Sequence, residues 1–123
     1  MTFRKLFAFQ KSFDLAMKIF SVSKSFPVEE RYSLTDQIRR SSRGVSVNIA
    51  EAYRKRRYQR HFISKLSDSD SENAETQTWL LFAKETGYIN EKIFFELMEE
   101  SVEVGKLINY MIQNPEKFGS SIP

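Results

Sequence analysis

The chain has 123 residues, 28% of them charged, with a formal net charge of +3 and no cysteine. That length holds one modest core and therefore one domain; the missing thiols exclude disulfides and thiolate zinc sites; no apolar run approaches the roughly 18 residues of a membrane-crossing helix. Charge is unevenly spread: residues 31–60 carry nine basic and two acidic side chains, residues 61–123 five basic and eleven acidic, so a cationic centre precedes an anionic second half.

Taken in order, residues 4–26 read as a first helix. Leu6, Phe9, Phe13, Ala16, Met17 and Phe20 form one apolar seam, and Leu15, Ile19, Val22 and Phe26 a second beside it. Lys11, Lys18 and Ser25 mark its wet side. So broad a stripe predicts two neighbours, one of them on another subunit. Lys11 and Asp14 interrupt any signal-peptide core, which points to a cytoplasmic protein. Pro27 stops the helix, because the residue before proline is steered out of the helical region.

Leu34 to Arg57 reads as the helix around which the rest is organised. Leu34, Ile38, Ser41, Val45, Ile49 and Ala52 line one side, with Arg39, Arg43, Ala50, Arg54 and Arg57 roughly opposite. Ser33, with Asp36 three residues on, predicts a capping box. Ser41, Ser42, Gly44, Ser46 and Ala50 keep the middle slim, so another helix is expected to approach closely there. A break is expected at Tyr58-Gln59-Arg60, although no glycine or proline marks it.

The third helix is expected from Arg60 to Thr86, its ends held by Phe62, Ile63, Leu66, Leu80, Leu81 and Ala83. Its middle is polar, with Asn73 and Gln77 continuing the seam and Asp70 at the edge; such a segment either packs poorly or pairs with buried donors of a neighbour. Trp79 and Phe82 point away from the seam and are the candidate oligomer contacts. Gly87 fits a left-handed helix end and Asn90 an N-cap. A fourth helix is predicted over Glu91 to Gln113, with Phe94, Leu97, Met98, Val104, Ile108 and Met111 inside and Glu96, Glu99, Glu100 and Glu103 outside. Pro115 ends it. The organisation is thus an all-α, antiparallel up-and-down four-helix bundle over residues 1–114, with a mobile C-terminal tail over 115–123.

QIRR at 37–40 and NIAE at 48–51, with ETQ at 75–77, Trp79-Leu80 and Gly87-Tyr88, resemble the signature of the bacterial four-helix bundle family also called 23S rRNA intervening-sequence proteins. Ser46 stands where a proline is common in that family, and Ala52 where glycine is common. The resemblance implies an up-and-down bundle assembled as a homopentamer. It also implies association with nucleic acid, by similarity to accessory proteins of diversity-generating retroelements.

The residues leave two readings of the basic face open. Arg39, Arg43, Arg54 and Arg57, flanked by Arg40, Lys55 and Arg60, could contact RNA or DNA phosphates with release of counterions; alternatively they pair with the carboxylates of residues 68–103, within or between subunits. Tyr53 and Tyr58 are close enough to be considered for base stacking. Asn48 is read as a buried polar clamp satisfied by Gln77 or Asp70, with Glu51 beside it, rather than as a recognition or catalytic pair. Asp68, Asp70 and Glu72 lack the glycine turn and the terminal glutamate of a calcium loop. His61 is the single histidine, and no serine has a His/Asp partner pattern. No catalytic residue, metal site, cofactor or small-molecule substrate is inferred.

Overall fold

The computed structural model describes residues 2–122. Four helices account for most of them: α1 (Phe7–Ser23), α2 (Leu34–Arg54), α3 (Gln59–Glu85) and α4 (Glu91–Gln113). Short 3-10 turns occupy Phe3–Lys5, Val28–Glu30 and Pro115–Phe118, and no strand occurs among the described residues. Side-chain contacts give the helix directions. Ser12 meets Ser46 while Ser23 meets Arg39, so α1 and α2 run oppositely. Ser69 and Thr76 of α3 meet Val45 and Ser41, Asn73 meets Ser101, and Lys11 and Lys18 reach Glu103 and Glu100. The result is an antiparallel up-and-down bundle in which α1 and α3 each pack on α2 and α4.

The core follows the period of each helix. On α2 the whole expected seam, Leu34, Ile38, Ser41, Val45, Ile49 and Ala52, is buried. On α4 Phe94, Leu97, Val104, Ile108 and Met111 are buried, with Ser101 among them. A fully enclosed aliphatic side chain such as Ile49 or Ile108 contributes about 1.5–3 kcal/mol relative to exposure.

A belt of small polar residues crosses the middle of this core. Ser12 and Ser46 share a hydrogen bond at 2.8 Å between α1 and α2. Ser69 donates to the Val45 carbonyl, and Thr76 to Ser41 Oγ. Asn73 donates to the Ser101 carbonyl and accepts from Ser101 Oγ, which also accepts from Gln77. The polar middle of α3 thus pairs with buried groups of neighbouring helices. Small side chains let the backbones close up, and the fixed hydrogen bonds hold register.

Several boundaries and faces differ from the sequence reading. The first helix is shorter than 4–26, with a 3-10 turn before it and ordinary turns after Ser23. Its core face carries Ala8, Ser12, Leu15, Ala16 and Ile19, whereas Phe13 and Met17, read as seam residues, are half exposed. Leu81, expected in the core, is also half exposed. Ser33 makes no capping bond; instead Glu30 Oε1 accepts from the Leu34 amide. Asn48 donates to the Gly44 carbonyl of its own helix rather than to Gln77 or Asp70.

Other signals hold. Gly87 has φ +78°, the Tyr88 and Gly87 amides return to the Ala83 and Lys84 carbonyls, and Asn90 accepts from the Ile93 amide. The stretch expected as a mobile tail folds back as far as residue 120: after the turn at Pro115–Phe118, Ser120 is buried and its carbonyl accepts from Gln59.

Candidate nucleic-acid interface

The structure divides the seven cationic candidates into two groups and sets one apart. Arg40 and Arg43 lie exposed on the outer face of α2. Arg54 closes that helix, and Lys55, Arg57 and Arg60 follow around the α2–α3 corner, all exposed. Arg57 is therefore on the turn and not on the helix face where its spacing put it. From Arg40 to Arg54 the row covers about 21 Å of helix axis at 1.5 Å per residue. Arg39 is different: half-buried, its Nε donates to Ser23 Oγ at 2.8 Å and its guanidinium lies 4.7 Å from the Phe20 ring centre. It ties α2 to α1.

The corner has a local cause. Positive side chains suit the partly negative carbonyl end of α2, and Arg56 Nη1 donates to the Tyr53 carbonyl at 2.8 Å while its guanidinium stacks 4.0 Å from the Tyr53 ring. Tyr53 is buried. Tyr58, the other ring weighed for stacking, is 59% exposed. Arg56 also packs against Gly119, the left-handed residue that turns the C-terminal segment toward the corner. Sequence distance hides this last neighbour.

Among the described residues the acidic half forms no ion pair with these groups. The ion-paired carboxylates are Glu51 and Asp68 on Lys65, Glu100 on Lys18, and Glu103 on Lys11. Their hydrogen bonds and charges hold the Lys65 and Lys18 ammonium groups above the usual lysine range. Among the described residues no arginine forms an ion pair. The Glu72 carboxyl lies over Gly44, where an added Cβ would stand 2.7 Å from Oε2. Burial raises its pKa first and Glu75 next, while the charge of Arg40 acts in the opposite direction.

The two candidate interface aromatics are adjacent on α3, with ring centres 5.8 Å apart. Phe82 is half exposed, whereas Trp79 is half-buried against the core and donates to Glu75. A second apolar surface lies along the broad stripe of α1, for which one neighbour was expected on another subunit. Phe3, Phe9, Phe13 and Val47 line a groove of about 340 Å³ between α1 and α2, flanked by Arg43 and Glu51. No group of three or more metal-ligating side chains occurs among the described residues. None of the helices is long and apolar enough to cross a membrane.

The family model described as 23S rRNA-intervening sequence protein matches residues 4–110. The chain belongs to that family. Its match spans all four helices up to the last turn of α4. A solved structure agrees: a protein of unknown function from the S23 ribosomal protein family of Bacteroides thetaiotaomicron superposes with a TM-score of 0.78 at 29% identity, over 86% of this chain and 95% of that one. No curated protein matches the chain. The blocks around QIRR and NIAE that pointed to the 23S rRNA intervening-sequence family lie on α2, the helix that carries Arg40, Arg43 and Arg54.

Proposed function

We propose that this 23S rRNA intervening-sequence protein is a non-enzymatic, self-assembling accessory module, a cytoplasmic homopentamer, that holds RNA or DNA by its phosphates. What supports it is the charge left over: Arg40, Arg43, Arg54, Lys55, Arg57 and Arg60 are exposed, and no arginine is ion-paired among the described residues. Such groups gain free energy by displacing condensed counterions from a polyanion. Repetition around an oligomer would turn a modest patch into a multivalent one. The family takes its description from 23S rRNA and the structural neighbour comes from a ribosomal protein family, which agrees with an RNA partner. Titration of single- and double-stranded RNA at two salt concentrations tests it. Binding should weaken steeply with salt, and Arg43→Glu with Arg54→Glu should abolish it while the mass by light scattering stays unchanged.

A second reading has its own observation. The groove beside Arg43 leaves Phe13 and Val47 half exposed, and apolar surface of that kind is covered in stable assemblies. In a purely structural oligomer the arginines would meet carboxylates of adjoining subunits. The same double substitution would then shift the mass toward monomer, and no polynucleotide would bind at low salt.

A further inference from the structure

The α2–α3 corner holds more than charge. A concavity of about 640 Å³ opens there, lined by Arg57, Tyr58, Gln59, Arg60, His61 and Ile122. Its volume falls in the range of small-molecule sites, roughly 300–1,000 Å³. Two of the six lining groups are flat π systems and two are guanidinium groups. The rings of Tyr58 and His61 have centres 5.7 Å apart and planes tilted by 45°. They do not stack in parallel, and Tyr58 keeps more than half of its surface in water. Nothing in the bundle needs that exposure: Tyr58 precedes the first residue of α3, and it is absent from the core and from the side chains packed against it.

We infer that this concavity receives an unpaired nucleobase of a single-stranded polynucleotide, with Tyr58 as the stacking face and Arg57 and Arg60 on the flanking phosphates. The assignment rests on the phosphate-binding reading and deepens it. A row of arginines alone would hold duplex and single strand alike, because both present phosphates. An aromatic face inside a pocket discriminates between them: a base can enter only when it is free of its partner and splayed from its stack. Guanidinium groups beside the ring supply both the phosphate contacts and a second planar surface for the base. Stacking reads the base and not the sugar, so RNA and DNA single strands share the chemistry. Because Tyr58 is exposed and outside the helices, its side chain can be changed without opening the core.

Fluorescence anisotropy with a labelled, unstructured oligonucleotide tests the inference on the full-length protein. The strand is prepared as RNA and as DNA, and each is compared with the duplex of the same sequence. The wild-type protein should prefer the single strands. Tyr58→Ala should weaken single-strand binding about tenfold, the loss of one stacked base, and leave duplex affinity and the salt slope unchanged. Tyr58→Phe, which keeps the ring, should bind as the wild type does. The same loss is expected on RNA and on DNA. If Tyr58→Ala lowers single-strand and duplex binding equally, or changes neither, the base pocket is overturned while salt-dependent phosphate binding survives. If the wild-type protein binds no strand at low salt, the pocket and the reading beneath it fall together.

Discussion

Asn73 shows what a single residue does in this fold. It is 2% exposed, on the face of α3 where a hydrophobic seam would ordinarily continue. Its amide donates to the Ser101 carbonyl and accepts from Ser101 Oγ, both at 2.9 Å. Gly105, one turn further along α4, leaves room for it, since a Cβ there would stand 3.3 Å from Nδ2. A buried amide is worth little net when satisfied and costs more when its partners are stranded. Asn73→Ala removes both bonds and opens a small cavity, so unfolding in urea should show a loss of about 2 kcal/mol. A loss under about 0.5 kcal/mol would mean that water or Gln77 replaces the amide freely, and that the belt does not fix register. The sequence showed that Asn73 and Gln77 continue the seam with polar side chains. It could not name Ser101, because that pairing depends on how far α4 slides along α3.

At the scale of elements, the helix ends decide which boundaries can be read. The fourth helix was legible to the residue because local chemistry sets both limits: Asn90 caps its start, and Pro115 cannot extend its end. The end of α2 was not. Arg54 to Arg57 are good helix formers with no breaker among them, and the chain turns there because Arg56 folds back on Tyr53 and the C-terminal segment packs beside it. The start of α2 is held from a distance as well. Glu30 accepts from the Leu34 amide at 3.2 Å and from the Tyr88 hydroxyl at 2.8 Å, which links the α1–α2 and α3–α4 connections. The Tyr88 bond first, and then the Leu34 amide, hold the Glu30 carboxyl below the usual carboxylate range. A depressed carboxylate adds stability above its unfolded pKa, and that stability is lost as pH falls through the folded value. Tyr88→Phe should therefore be less stable than wild type at neutral pH. The gap should close on acidification, as pH falls below the ordinary carboxylate range and Glu30 takes up its proton. Thermal unfolding between about pH 3 and 8, where the phenol stays protonated, measures this; a gap that stays constant would assign the loss to the Tyr88 hydroxyl whatever the charge on Glu30.

For the whole molecule, the question is what a correctly folded bundle leaves uncovered. The first helix was read by spacing as two apolar seams, Phe9, Phe13, Met17 and Phe20 on one of them, with two neighbours expected, one on another subunit. Within the protomer folding buries Ala16 of that seam together with Ala8 and Ser12, because α1 and α2 approach closely enough for Ser12 and Ser46 to form a hydrogen bond. Phe13 and Met17 are displaced outward by that choice and stand half exposed. Phe13, with Val47 and the partly buried Phe9, forms an apolar strip beside Arg43, whereas Met17 lines a separate groove with Val22, Ile93 and Leu97. In the proposed assembly this strip is covered by another copy. Phe13→Lys combined with Val47→Lys puts two charges on the strip and removes nothing from the buried core, so circular dichroism should be unchanged. Light scattering should then report the monomer mass, since burying an unpaired charge costs far more than the apolar contact returns. A mass equal to that of the wild type would move the interface off α1 and α2, leaving Trp79 and Phe82 on α3 as the surface to alter next. The charge-reversed arginine variant supplies the complementary result: if it keeps the assembled mass while losing polynucleotide, the apolar strip holds the subunits together and the cationic corner holds the ligand.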